Sequence, residues 1–359
     1  MEAYYSSAYC TLAATSAQDA NAGFLFRPES AAPPREERCV RMPVGLYVCP
    51  FVDTFDRDVE DGVLNRRGWV LQERALSRRV LHFTANQVYW ECGKGIHCQT
   101  GTKMRSSTQQ LMGDPQFPLA LLTLVKGSRI GLFQHFFEMY SRLDLTYSTD
   151  RPVAIAGLEA RLARALKTTV VYGIVSRYLH RSLLWQRGGG KPLHRINYRG
   201  SQRDNVVPSW SWMAYTGEIG YMDVPFATVE WNRSIYDAWN AKGDTSNSTA
   251  TTIEFNVAAR RFTLRGDDIQ RVQFDMEGDK GRIEDDRVRC VVLGRSVFGG
   301  QGQEQGQHDE YYVLIVSPIP RSWADDLNGT STTYERVGVG QLLKSHISLE
   351  GPGTIVQIV

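Results

Sequence analysis

Glu73 and His82 are the residues of this chain best suited to move a proton. A carboxylate on a short helix and an imidazole on the strand that follows can share one corner, where a partly buried imidazole titrates near neutrality. The same spacing also suits a structural arrangement, with Glu73 paired to Arg67 or Arg78 and His82 packed beside Trp90. Cys92-Gly93-Lys94-Gly95-Ile96-His97-Cys98 groups two thiols and an imidazole, which is three ligands where structural zinc takes four, usually from two close pairs. No second pair is near, so a hairpin end is the expected role and no metal is assigned. Asp53, Asp56, Asp58, Glu60 and Asp61 crowd one segment, yet Asp61 stands where a calcium loop needs Gly and Arg67 where it needs a bidentate Glu. A solvated acidic loop facing the Arg66-Arg67 and Arg78-Arg79 pairs is the expectation. Gly299-Gly300-Gln301-Gly302 precedes a strand rather than a helix, and Gly188-Gly189-Gly190-Lys191-Pro192 has the wrong spacing for a phosphate loop. No Gly-x-Ser-x-Gly elbow occurs, and no cofactor is assigned.

The elements that position these groups follow from local pattern. Val80-Leu81-His82-Phe83 and Gln87-Val88-Tyr89-Trp90 are rich in β-branched and aromatic residues and flank the polar turn Thr84-Ala85-Asn86, which predicts a hairpin. Trp69 to Leu76 contains good helix formers, and Trp69, Gln72 and Leu76 fall on one face, so a buried indole is expected to anchor helix to hairpin. A helix end near Tyr4–Ala8 and a strand Cys10–Ala14 precede them, the strand having an edge open to aggregation. Ala20 to Arg67 reads as a loop-rich connection containing the extended run Leu46-Tyr47-Val48-Cys49. Three helices are then expected. One buries Leu132, Phe133, Phe136, Phe137 and Tyr140; one opens at Asp150 and runs to Leu166; one carries Tyr172, Val175, Leu179 and Leu183. Trp210-Ser211-Trp212, read as extended, puts both indoles on one side and suggests a domain seam. Strands are expected at Thr252–Val257, Arg261–Leu264, Val272–Phe274, Val288–Leu293, Tyr311–Val316 and Thr354–Val359, with a Gly- and Gln-rich tip at Gly299–His308.

Residue identities add a resemblance. Arg67-Gly68-Trp69, Leu71-Gln72-Glu73-Arg74, Arg79-Val80-Leu81-His82-Phe83 and Trp90-Glu91-Cys92 resemble a block of the fungal heterokaryon incompatibility (HET) domain. Met1 to Ser16 with Gly23-Phe24 is similar to the segment that closes the middle of that domain. Phe137–Tyr140, Leu145–Arg151 with Asp150, Ala154–Leu158, Leu183-Leu184-Trp185 and Pro208-Ser209-Trp210-Ser211-Trp212 resemble the region that follows it, and Tyr334-Glu335-Arg336-Val337-Gly338 is a weaker echo. The family's opening Ser-Tyr-x-Trp-Gly, Trp-Ile-Asp and Cys-Ile-x-Gln blocks are not in these residues. The resemblance covers roughly the first 215 residues and implies the C-terminal portion of a HET domain at residues 1–99, then a connection at 100–128 and a helical region at 129–215, while the strand pattern gives a β-rich domain at 216–359. Resemblance and pattern together give an α+β fold class: a remnant of a TIR-like α/β layer, as the resemblance implies, with a helix and β-hairpin, a small helical bundle, and a C-terminal antiparallel β-rich domain.

Composition sets the remaining bounds. The 359 residues, 42% of them apolar, suffice for two cores, and 41 Lys plus Arg against 39 Asp plus Glu leave a formal charge of +2. Such a balance provides no field to hold nucleic acid. Six cysteines dispersed in a chain with no apolar leader, and no run of about 18 apolar residues, point to reduced thiols in the cytoplasm and no membrane span. The resemblance implies non-self recognition and programmed cell death through a protein partner. It also raises NAD cleavage for the intact TIR-like fold, although these residues alone are expected to be inactive. The alternatives from other classes are a regulatory or interaction module, its HET portion an inert or dominant-negative remnant, and behind it a hydrolase using Glu73 and His82.

Overall fold

The computed structural model describes residues 1–25, 40–43, 45, 47–48, 54–99, 102–104, 112, 122–189, 192–198, 207–240, 255–297, 309–319 and 333–359. Cys39, Cys49, Asp53 and the Gly299–His308 tip lie outside the described residues. The chain is of mixed α+β type and divides into two compact units, residues 1–132 with 143–165 and residues 133–142 with 166–359.

In the first unit, the alternation of Arg79–Phe83 and Val88–Cys92 gives the expected hairpin, whose alternate residues are buried. Thr84 closes its turn: the Thr84 hydroxyl donates to the Gln87 carbonyl at 2.7 Å and accepts the Gln87 amide at 3.2 Å. Gly95–Cys98 and Lys103–Met104 add antiparallel strands, and Thr11–Ala13 joins the other side in parallel, opposite Val80 to His82. Among the described residues Thr11–Ala13 ends the five-stranded order with no strand on its outer edge, and Leu12 is exposed beside it. The Cys92-to-Cys98 segment is the second hairpin, Cys92 opposite Gly95, and among the described residues no cluster of metal-binding side chains forms.

Helix Gly68–Leu76 precedes the hairpin. Its buried face is Gly68, Val70, Leu71, Gln72, Arg74, Ala75 and Leu76, so the anchor is aliphatic and ionic, while Trp69 is half-buried. Gly68 sits where a Cβ would fall 2.7 Å from Leu145, and its amide donates to the Asp144 carbonyl at 2.8 Å. Gln72 accepts the Gly157 amide at 2.7 Å, which ties this helix to helix Ala156–Leu166. Asp150 lies in the 3₁₀ turn Ser148–Asp150, and the helix starts only at Ala156, later than the sequence suggests.

In the second unit, the aromatic stripe Phe133, Phe136, Phe137 and Tyr140 of helix Lys126–Ser141 is buried as expected. The helix expected from Tyr172 to Leu183 does not form as such. Tyr172 (φ 49°) and Gly173 (φ 76°) make a left-handed turn between strands Val170–Val171 and Ile174–Val175, followed by a 3₁₀ turn and the five-residue helix Leu179–Leu183. A seven-stranded sheet dominates the unit, running Val229–Trp231, Arg289–Ser296, Glu310–Pro318, Thr333–Leu343, Thr354–Ile358 and Phe255–Ala259, with Val272–Phe274 also pairing Thr333–Leu343. It is antiparallel except where Thr333-Tyr334 meets Gln357-Ile358 in parallel. Val272, Cys290, Val313, Ile315, Val337 and Leu342 lie within its core. Among the described residues, no helix is long and apolar enough to cross a membrane.

Candidate functional site

The first candidate is a buried polar network between helix Gly68–Leu76 and the hairpin. In the hairpin register His82 lies opposite Tyr89 and Val80 opposite Glu91, so His82 and Glu91 are diagonal neighbours on the inward face. His82 Nε2 donates to Glu91 Oε2 at 2.9 Å, and the Thr15 hydroxyl lies 3.3 Å from His82 Nδ1. An ionised Glu91 accepts only, which puts the imidazole proton on Nε2; the Thr15 hydroxyl has one proton to share between the unprotonated Nδ1 and the Ala13 carbonyl, each 3.3 Å away.

Arg74 reaches the same carboxylate in a fork, Nε to Oε2 at 2.7 Å and Nη2 to Oε1 at 2.9 Å. Its other edge takes Glu60 at 2.7 and 2.9 Å. One guanidinium thus joins two carboxylates, and it sits 5.4 Å from the centre of the Phe55 ring, which packs edge-on against both His82 and Tyr89. Tyr89 donates to Asp58 at 2.8 Å. In the acidic segment the Glu60 and Asp58 carboxylates thus face Arg74 and Tyr89, while Arg66 of the flanking pairs donates to the Asp61 carbonyl at 3.2 Å.

Burial works against every charge here, and pairing decides the outcome. It pushes the Glu91 carboxyl up, but the Arg74 charge and the His82 and Arg74 hydrogen bonds together hold it well below the usual carboxylate range. His82 is held below its ordinary value because burial disfavours the imidazolium, with Glu91 pulling the other way. Arg74 stays a firmly charged cation, the attraction of Glu91 and Glu60 outweighing burial. An ionised Glu91, a neutral His82 and a guanidinium using four of its five N–H groups form a lock between helix and sheet.

The structure does not join Glu73 to His82, which corrects the proton-transfer pairing. Burial raises the Glu73 pKa, against a hydrogen bond from Tyr5 and the charge of Arg67. Tyr5 is correspondingly pushed up to about 12, by burial first and by Glu73 second. Trp90 stands opposite Leu81, away from His82, so their expected pairing also fails. Of the other resemblance residues, Arg79 lies over the Tyr9 ring at 4.7 Å, Phe83 meets Phe24 edge-on at 5.0 Å, and Arg67 is exposed. Sequence reasoning missed Phe55 altogether, and the parts that Glu60 and Thr15 play in the lock. None has a local signal, because each reaches the lock from a distant segment.

A second lock lies in the other unit. Arg336 and Asp275 are both fully buried, joined at 2.9 Å and 3.0 Å. The guanidinium stacks on Trp185 at 3.3 Å from the ring centre and donates to the Leu183 carbonyl at 2.7 Å and to the Trp185 carbonyl. The Arg336 amide donates to the Ser209 hydroxyl at 2.9 Å. Burial pushes the Asp275 carboxyl up, with the Arg336 charge opposing.

Trp210 and Trp212 are fully buried but separate, which corrects the expected shared side. Ser211 begins a 3₁₀ turn, its hydroxyl accepting the Met213 amide and donating to the Tyr172 carbonyl. Trp210 therefore meets Trp239 at 5.1 Å, whereas Trp212 meets Phe137 at 5.5 Å. Pro208 is buried beside them. No family model, no curated protein and no solved structure matches this chain.

Proposed function

We propose that this chain acts in fungal non-self recognition, carrying the C-terminal portion of a HET-type domain whose output is cell death through a protein partner. One observation supports the reading above the rest. Residues that carry the resemblance, Gln72, Arg74, Val80, His82 and Glu91, converge on a single buried unit in which helix and hairpin are clamped together. Ser209, Trp185 and Arg336, from the more distant matches, converge on the second lock. On this reading the finer architecture is a TIR-like remnant followed by a helical region, and the protein works in the cytoplasm.

The chain by itself is proposed to lack NAD cleavage. Incubation of the pure protein with NAD is expected to release no nicotinamide, and steady turnover would overturn this part. Expression in a filamentous fungus from an inducible promoter is expected to arrest growth and admit a vital dye. Glu91→Ala, which breaks the first lock, is expected to abolish the arrest. Normal growth at full protein level would favour the second reading, an interaction module without a death output. The edge of Thr11–Ala13, which pairs with no further strand among the described residues, favours that alternative.

A further inference from the structure

We infer that a cleft in the second unit binds an extended peptide strand in which apolar and acidic side chains alternate. This inference stands independently of the death-signalling reading.

The cleft forms where a ladder stops. Arg260 and Cys290 exchange both backbone hydrogen bonds, at 2.8 and 2.9 Å, so Arg260 faces strand Arg289–Ser296. Two residues on, Phe262 points its amide and carbonyl to that same side, because the intervening groups, Thr263 N–H and Arg261 C=O, bond His346 and Ser348 on the other. The rung that Phe262 should make with residue 288 is absent. The Val288 amide turns to the Asp285 carbonyl at 2.9 Å, and the Val288 carbonyl takes the Arg289 guanidinium at 2.8 Å. Among the described residues, the backbone groups of Phe262 and Leu264 have no hydrogen-bond partner.

A row of unpaired backbone groups beside a hollow is what a peptide strand completes. The hollow measures about 420 Å³, within the size range of ligand sites. Phe262, Leu264, Ile269, Ile283 and Val288 line its apolar part. Both Phe262 and Leu264 are half-buried against the sheet core, so the floor is supported.

Charge selects the partner. Along the extended segment Arg261, Thr263 and Arg265 alternate with Phe262 and Leu264 and are exposed. Neither Arg261 nor Arg265 has an ion pair among the described residues. On the opposite wall the Asp285 carboxylate is held by Arg287 at 2.8 and 3.0 Å, and the Arg289 guanidinium donates to the backbone carbonyl of Asp286, adding a further cation to the cleft. A strand laid against Phe262 and Leu264 would put alternate side chains into the apolar hollow. The others would stand beside Arg261 and Arg265, where carboxylates complement the charge.

The test is fluorescence anisotropy of the full chain with a labelled, N-acetylated heptapeptide alternating glutamate and leucine. Saturable binding below about 1 mM is expected. Methylating alternate backbone nitrogens of the peptide should weaken it at least about ten-fold, since the ladder bonds are lost. The exposed pair R261E and R265E should weaken it by about ten-fold and improve binding of the lysine–leucine peptide, with an unchanged melting temperature. Absence of saturable binding, or binding indifferent to both backbone methylation and charge reversal, would overturn the inference.

Discussion

Glu91 is the residue on which the first lock turns, because it accepts from both Arg74 and His82. Removing its charge leaves the buried Arg74 guanidinium with the partly exposed Glu60 alone, so the cost should stay below the roughly 3 to 5 kcal/mol of a fully unpaired buried charge. Glu91→Gln is therefore expected to speed hydrogen exchange of the Arg79–Phe83 amides far more than those of Glu310–Pro318. Equal acceleration in both would mean that the carboxylate does not act locally. His82 adds a pH dependence whose direction is set by burial. Its folded pKa lies below the ordinary 6.5, so on acidification the unfolded chain takes up the proton first. Stability from this group is complete above about pH 6.5 and declines below it, by at most ~1.4 kcal/mol per pH unit. Glu91, held well below the carboxylate range, stays ionised through that window, whereas Asp279, pushed up to about 6 by burial, titrates within it. The informative quantity is thus the wild-type change minus that of His82→Gln, which keeps an amide donor toward Glu91 but carries no proton. Melting temperatures at pH 7.5 and 5.5 should differ more for wild type than for the variant; matching differences would refute the assignment.

At the level of elements, strand Thr11–Ala13 ends its sheet, and Leu12 is 60% exposed with Tyr9 at 80% next to it. Exposed apolar edges recruit strands from other molecules, and a charge there discourages them. Leu12→Lys should lower concentration-dependent light scattering and leave the melting temperature within about 0.5 kcal/mol equivalent, as surface changes usually do. Unchanged scattering would place the association elsewhere. The same elements show what a sequence discloses. The hairpin was legible because period-two burial and a polar turn are local properties, and its register even places His82 diagonal to Glu91. The Tyr172–Leu183 segment misled, because its apolar spacing fits a helix while Tyr172 and Gly173 take left-handed conformations that pattern alone does not reveal. Thr333–Leu343, the long strand bearing Arg336, was visible only as an echo. Its interior Gly338 and Gly340 weaken a strand signal, yet a Cβ at either would come within 2.8 Å of the backbone of Val272–Phe274 or the residue before it. The partners of Arg74 and Arg336 were not legible, since Glu60 and Asp275 reach them from separate segments.

The whole chain weaves between its units, the first closing only with residues 143–165 and the second beginning with 133–142. No single cut in sequence yields both units intact. A fragment of residues 1–99 keeps the hairpin, Arg74, Glu60 and Glu91 but loses Asp144, which accepts the Gly68 amide, and Gly157, which donates to Gln72. It also loses Arg161 and Arg164, the partners of Glu2. Buried polar groups left without partners cost about 1 to 3 kcal/mol each, and a small domain has only about 5 to 15 kcal/mol to lose. The fragment is therefore expected to show hairpin-like far-ultraviolet circular dichroism without fixed near-ultraviolet signals. Residues 143–165 supplied as a separate peptide should restore part of that signal, and more slowly with Gly157→Ala, where the added Cβ would lie 2.8 Å from the Gln72 oxygen. A fragment 1–99 that unfolds cooperatively on its own, with sharp aromatic dichroism, would show that the lock between helix and hairpin suffices without the returning helix.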